Sequence, residues 1–330
     1  MPLAHETWFV PDDVSYDWGF ATSGASLALL AAAIAVTLAV RALARGRDGI
    51  DVPVLAAMAP YMPFALRLHL AASLVGLLGL GVYLSPAMDL AFDVPGVLLG
   101  AVMVLVAVGM ASGWHARGAA WLLIAAGPIG MLEFGVSPVL QRVDLLGVAL
   151  FVAVAGPGRW SADHEGGREA DPSPIQSARA TWVLRVLTGI ALIVVAYVEK
   201  LGQPALALEF LAEYPQFELG DNVGMSQEEF IRTAGSIEVL FGLLLISGAL
   251  PQAVVLIAGI PFNATLFFFG EVELIGHLPV YGTMLVLLVY GSSPLMRPFT
   301  SLLWPWGPAR PGRASDTPQT APRRPGMSTP

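Results

Sequence analysis

TWVLRVLTGIALIVVAYVEK, residues 181–200, decides the fold. Residues 181–198 carry one charge, Arg185, and at about 1.5 Å of helix per residue they span most of a hydrocarbon core roughly 30 Å thick. The run then stops at Glu199 and Lys200, the only lysine of the chain. Eight further apolar stretches lie at 24–40, 68–84, 95–109, 118–136, 145–156, 234–250, 253–269 and 278–290. Threaded alternately across a bilayer, the nine place Arg41, Arg45, Arg47, Arg67, Arg117, Arg159, Arg168, Arg179, Arg185, Arg297, Arg310, Arg313, Arg323 and Arg324 on one side. Only Arg142, Lys200 and Arg232 fall on the other. Cytoplasmic loops are the ones enriched in Lys and Arg. The expectation is therefore an all-α, multi-pass bundle of about nine transmembrane helices in a prokaryotic plasma membrane, with the N-terminus outside and the C-terminus cytoplasmic. The stretches 145–156 and 278–290 are short for full spans.

Composition points the same way. Charged residues make up 13% of the chain, about half of the roughly 25% usual in soluble domains, so the bilayer is the expected solvent and first partner. The net charge of −8 argues against nucleic acid. With no Cys, thiol chemistry and thiolate metal sites have to come from elsewhere. The stretch up to Phe20 is acidic, unlike the basic flank of a signal peptide, so the first helix should stay as an anchor.

The chain divides into residues 1–65, a four-helix unit at 66–163, a polar linker at 164–181, a second four-helix unit at 182–296 with an outer loop at 201–232, and a tail at 297–330. The Pro, Arg, Ser and Thr of that tail give no core, so it is expected to be disordered. Each unit opens on Leu-Arg (Leu66-Arg67, Leu184-Arg185) and later shows Ala-Gly (Ala126-Gly127, Ala258-Gly259) and Phe-Gly (Phe134-Gly135, Phe269-Gly270). Both begin and end on the same side, so the repeat would be parallel.

Ionisable residues collect at one level, near the outer rim: Glu133, Glu199, Lys200, Glu238, Asn263 as a polar companion, and Glu271, Glu273 and His277 in a turn between the last two helices. Charges at such depth mark a candidate site because lipid tolerates them only when paired or hydrated. Lys200 either snorkels at a helix end or balances Glu199, Glu238 or Glu271. Ser226 and Glu229 form a capping-box pattern that places Glu238 on a continuous helix. Glu271, Glu273 and His277 are a hydrated turn or a divalent-cation group, and the first reading is preferred, so no metal is expected. His69 and His277 fall on opposite sides, which argues against haem. Residues 204–217 read as an amphipathic surface helix, and Trp8, Trp18, Trp182, Trp304 and Trp306 as an interfacial belt.

The run Gly156, Pro157, Gly158, Arg159, Trp160, Ser161, Ala162, Asp163 resembles the helix ending of DoxX-type membrane proteins. Arg185 with Gly189 and then Lys200, and Glu238 with Gly242, are similar to two other elements of that family. The chain departs from it in dividing these elements between two units: Ser85 and Pro86 stand where the first unit would end in Glu-Lys, and the second unit closes without the Arg and Asp. The resemblance implies a quinone-interacting or redox-associated subunit with Lys200 and Glu238 lining a pocket and Arg159 and Asp163 fixing a helix end. It also implies a soluble or membrane redox partner. Quinone is the cofactor class it admits, and the substrate and oligomeric state stay open. A small-solute carrier or channel and a non-catalytic scaffold are the alternatives.

Overall fold

In the computed structural model, residues 5–10, 14–45 and 49–306 are described. Residues 307–330 of the tail expected at 297–330, and Arg47, lie outside the described residues. The principal helices are α1 (Gly24–Leu43), α2 (Met62–Gly79), α3 (Val94–Ser112), α4 (Ala116–Phe134), α5 (Val143–Ala155), α6 (Pro174–Val195), α7 (Pro204–Glu213), α8 (Gln227–Ser247) and α9 (Pro251–Ser292). Among the described residues there is no strand, only one isolated bridge between Val82 and Asp89. Among the described residues six helical stretches are long and apolar enough to cross a bilayer: Gly24–Leu43, Ala59–Gly79, Val94–Ser112, Pro174–Leu201, Gln227–Ser247 and Pro251–Ser292. That number differs from the nine expected. Their outward faces carry Leu27, Ile34 and Leu38 on α1 and Leu98, Val104 and Leu105 on α3, all exposed. Large exposed apolar faces of this kind suit lipid.

The 42 residues of α9 are not one rod. Gly270 breaks them with φ 62° and ψ −130°, a conformation open to glycine. Gln252 Nε2 donates to Ser292 Oγ at 2.9 Å, and Tyr281 Oη to the Phe262 carbonyl at 3.1 Å. The chain thus doubles back at Gly270, and the two arms, 251–269 and 271–292, lie antiparallel. The loop expected at 271–277 is instead helix, because the reversal is compressed into one glycine. The linker is shorter as well: Ser173 and Gln176 form a reciprocal capping box that starts α6 at Pro174. Part of the expected tail is ordered, since Leu302 and Leu303 accept hydrogen bonds from Arg185 and Trp182.

The two halves are built around equivalent buried arginines. Arg67 of α2 donates to the carbonyls of Met110, at the end of α3, and of Pro157 and Trp160, beyond α5. Arg185 of α6 donates to Leu245 and Ile246, at the end of α8, and to Leu302, beyond α9. A helix leaves its last four carbonyls unpaired; Arg67 answers one of them on α3 and Arg185 two on α8, and each guanidinium also binds one or more carbonyls of the chain beyond a later helix. The following backbone also repeats. Gly113 and Gly248 both cap in the left-handed region at φ 67°, and two residues on, His115 and Leu250 both have φ 47°. A side chain at either glycine would press on the arginine.

The Gly156–Asp163 motif belongs to this joint. Pro157 and Trp160 present their carbonyls to Arg67, while the Asp163 carboxylate accepts from Ala116 N at 3.1 Å and from Arg168 Nε at 3.0 Å. Asp163 is therefore the side-chain cap of α4, and despite its burial these hydrogen bonds hold its carboxyl below the usual range. Arg159 instead reaches out to Asp171 at 3.2 Å.

Candidate functional site

At Ala196–Leu201 the end of α6 widens into a π turn, closed by the Gly202 amide on the Tyr197 carbonyl at 2.6 Å. Such turns re-aim side chains and recur at functional sites. Here the turn carries both Glu199 and Lys200, and both point inward: Lys200 is 2% exposed and Glu199 is fully buried. Lys200 therefore does not snorkel. The crossing of α6 and α8 brings their backbones unusually close, since a Cβ on Gly189 would stand 2.6 Å from the Gly242 carbonyl oxygen and one on Gly242 2.5 Å from that of Gly189. That approach positions Glu238, one helical turn from Gly242, against α6.

Lys200 Nζ lies 3.2 Å from Glu238 Oε1 and 3.2 Å from Glu6 Oε1. The second partner was not foreseen. Residues 5–10, read from sequence as an outer flank, fold into the bundle around the short turn Glu6–Trp8. Glu199 holds this segment by accepting from the Glu6 amide at 2.7 Å, Thr7 Oγ1 at 2.8 Å and His5 Nδ1 at 3.3 Å. Three charge-assisted bonds on one carboxylate fix the segment firmly. Trp8, expected in the interfacial belt, stacks on His5 at 4.1 Å, faces His277 at 4.9 Å and lies against Gly276, where a Cβ would approach its ring to 2.3 Å. Phe9 stacks on Phe269 at 4.0 Å.

A second pair lies on α5. Arg142 contacts Asp144 at 3.3 Å, donates to the carbonyls of Leu84 (2.6 Å) and Gly276 (3.0 Å), and covers the Trp8 ring at 5.7 Å. On the second arm of α9, Glu273 is fully buried, 3.4 Å from His277 Nδ1, which also meets the Glu273 carbonyl at 3.1 Å. Among the described residues, one end of the bundle thus buries five carboxyl groups, Glu6, Asp144, Glu199, Glu238 and Glu273, with two permanent cations, Arg142 and Lys200. Isolated carboxylates are too costly in such surroundings to stay ionised without a partner. The shortage of cations favours carboxyls that keep a proton. Glu6, on the segment outside the spans, is pushed up to about 7 by burial, against the pull of Lys200. His5 is pushed down to about 3 by burial and by Arg142.

Three expected members stay apart. Glu133 and Glu271 are exposed, and Asn263 is exposed with its amide turned back onto the Gly259 carbonyl at 2.7 Å. Their residue type fitted the site, but their helical phase turns them away from it. Among the described residues no three His, Asp or Glu side chains converge as metal ligands would. His5 and His277 stack ring on ring at 5.2 Å, and His69 spends Nδ1 on the Ala65 carbonyl. Arg142-x-Asp144 was the overlooked signal, an arginine and a carboxylate two residues apart on the arginine-poor side. Nothing local in the sequence places His5, Glu6 and Thr7 inside.

The amphipathic helix expected over this end is α7. It buries Leu206, Ala207, Phe210 and Leu211 against Val10, Phe20, Phe217, Phe230 and Ile231. No protein-family model, curated protein or solved structure matches the chain.

Proposed function

We propose that the chain is a proton-handling integral membrane protein, a DoxX-like subunit that exchanges protons with a quinone or associates with a redox partner. The observation that carries this reading is Lys200 held between Glu6 and Glu238, out of contact with water, in a cluster with more carboxyls than cations. A buried ion pair is weak as a source of stability. It suits a proton-handling role instead, because burial together with a specific charge partner is the arrangement that shifts proton affinities at functional sites. The adjoining cavity, about 30 Å³, has space for waters rather than a ring, so a quinone head group would dock at the bundle surface and exchange protons with the cluster.

The proposed topology has nine crossings. It counts the two arms of α9 separately and adds α4 and the 13-residue α5 to the other five apolar stretches. The site then lies at the outer face of a prokaryotic plasma membrane, with the arginine-rich end, including Arg41, Arg117 and Arg297, in the cytoplasm. A second reading, a small-solute carrier, draws on the matched Arg67 and Arg185 joints, because many carriers are built from two repeats.

The test uses the purified chain in lipid nanodiscs. Quinone should be recovered in its lipid extract, and the short-tailed probe ubiquinone-1 should bind saturably, with weakened binding in Lys200→Met and Glu238→Gln. Neither quinone in the extract nor saturable binding of the probe would end the quinone reading. Solute flux in proteoliposomes without an electron donor would establish the carrier.

A further inference from the structure

The ion cluster separates two small cavities. One, about 10 Å³, lies beneath α7 and is lined by Glu6, Lys200, Ala207 and Ala234 among others. The other, about 30 Å³, lies on the far side of the cluster and is lined by Glu238, Asp144, Thr188, Arg142, His5 and His277 with apolar neighbours. Glu6 and Lys200 face the first cavity and Glu238 the second, while Lys200 Nζ is 3.2 Å from both carboxylates.

Some of the cluster's orphaned polar atoms face these cavities. Glu6 Oε2, at the smaller one, is buried without a hydrogen-bond partner, and so are Asp144 Oδ2 and Thr188 Oγ1 at the larger, while the two orphaned carboxyl oxygens of Glu273 face neither. A buried water needs roughly 10–15 Å³ and two to four polar partners. The smaller cavity offers room and partners for one water, the larger for about two.

We propose that Glu6, Lys200 and Glu238 form a proton bridge between two hydrated cavities, with access beneath α7 and delivery toward Asp144 and Thr188. The step conserves charge and atoms. Protonated Glu6 gives its proton to Lys200 as the Lys200 ammonium gives one of its own to ionised Glu238, so the lysine stays charged and the proton crosses from one cavity to the other. No electrons move. The groups that bias the step come from every neighbouring element: Glu199 beside Lys200, His5 on the N-terminal segment, Arg142 and Asp144 on α5, and Glu273 and His277 on α9. This inference deepens the proton-handling part of the proposed function and does not need the quinone.

Infrared spectroscopy of the full chain in nanodiscs, switched from H₂O to D₂O, tests it. After the transfer Glu238 holds the proton, so a protonated-carboxyl band should disappear in Glu238→Gln. Its exchange in the wild type should slow by about tenfold or more in Ala207→Val and Ala234→Val, which fill the smaller cavity. Glu6→Gln leaves the packing nearly unchanged, so it serves if the valine variants fail to fold, and it should slow exchange similarly. Glu133→Gln, exposed and apart from the cluster, should leave the rate within about twofold. Equal rates in Glu6→Gln and the wild type, or no band that depends on Glu238, would overturn the bridge. Ubiquinone-1 binding on the same preparations keeps the two readings apart: intact binding with unchanged exchange leaves the quinone reading without the bridge, and slowed exchange without binding leaves the bridge without the quinone.

Discussion

Replacing Glu6 with Gln removes one titration from a buried cluster and changes little else. In the folded chain the Glu6 carboxyl is raised from an ordinary 4.5 to about 7. Between those values the folded state keeps a proton that the unfolded chain has lost, so stability falls as pH rises. At about 1.4 kcal/mol per pH unit, the window amounts to about 3 kcal/mol, present in full below pH 4.5 and gone above pH 7. His5 acts in the opposite sense. Its folded value is about 3 against an ordinary 6.5, so its contribution is complete above pH 6.5 and declines as pH falls toward 3. In the wild type the two slopes oppose each other between pH 4.5 and 6.5. Glu6→Gln uncovers the His5 slope there, and relative to the wild type it should gain about 3 kcal/mol on going from pH 4 to pH 8. Reversible unfolding in mixed micelles, followed by SDS titration at several pH values, measures the difference. Parallel stability curves for the two proteins would refute the assignment of Glu6 to the buried face of Lys200.

Lys200→Met should cost about 3–5 kcal/mol near pH 8, because it strands buried carboxylates, and combining it with Glu238→Gln should recover part of that loss in the same titration. An additive pair would show that the two side chains do not interact. Arg67→Met and Arg185→Met should each cost several kcal/mol, at about 1.5–3 kcal/mol per charged hydrogen bond, and the two losses should be similar; a benign variant at either position would break the equivalence of the halves. Gly276→Ala drives a methyl into Trp8 and should cost about 1–3 kcal/mol, less when Trp8→Ala is also present.

What could be read from the chain and what could not divide along a physical line. Apolar length and the placement of arginine are summed over many residues, so helical membrane character was visible in the sequence, and so was the Ser226–Glu229 cap that starts α8. Helix phase rests on single residues. Glu133, Glu271 and Asn263 had the right chemistry and depth but face away, whereas Glu238 is turned toward Lys200 by the Gly189–Gly242 crossing. Gly270 hid a complete reversal, because its positive φ needs no turn sequence around it. The N-terminal insertion was the least legible part. Glu6 and Lys200 are 194 positions apart, and an acidic flank ahead of a first span normally stays in water. Lys200, already paired with Glu238, takes Glu6 as its second carboxylate, and Glu199 beside it bonds the same segment three times, so the end of α6 holds that flank inside. Seen this way, Lys200 organises the fold of the N-terminus as well as the chemistry of the site.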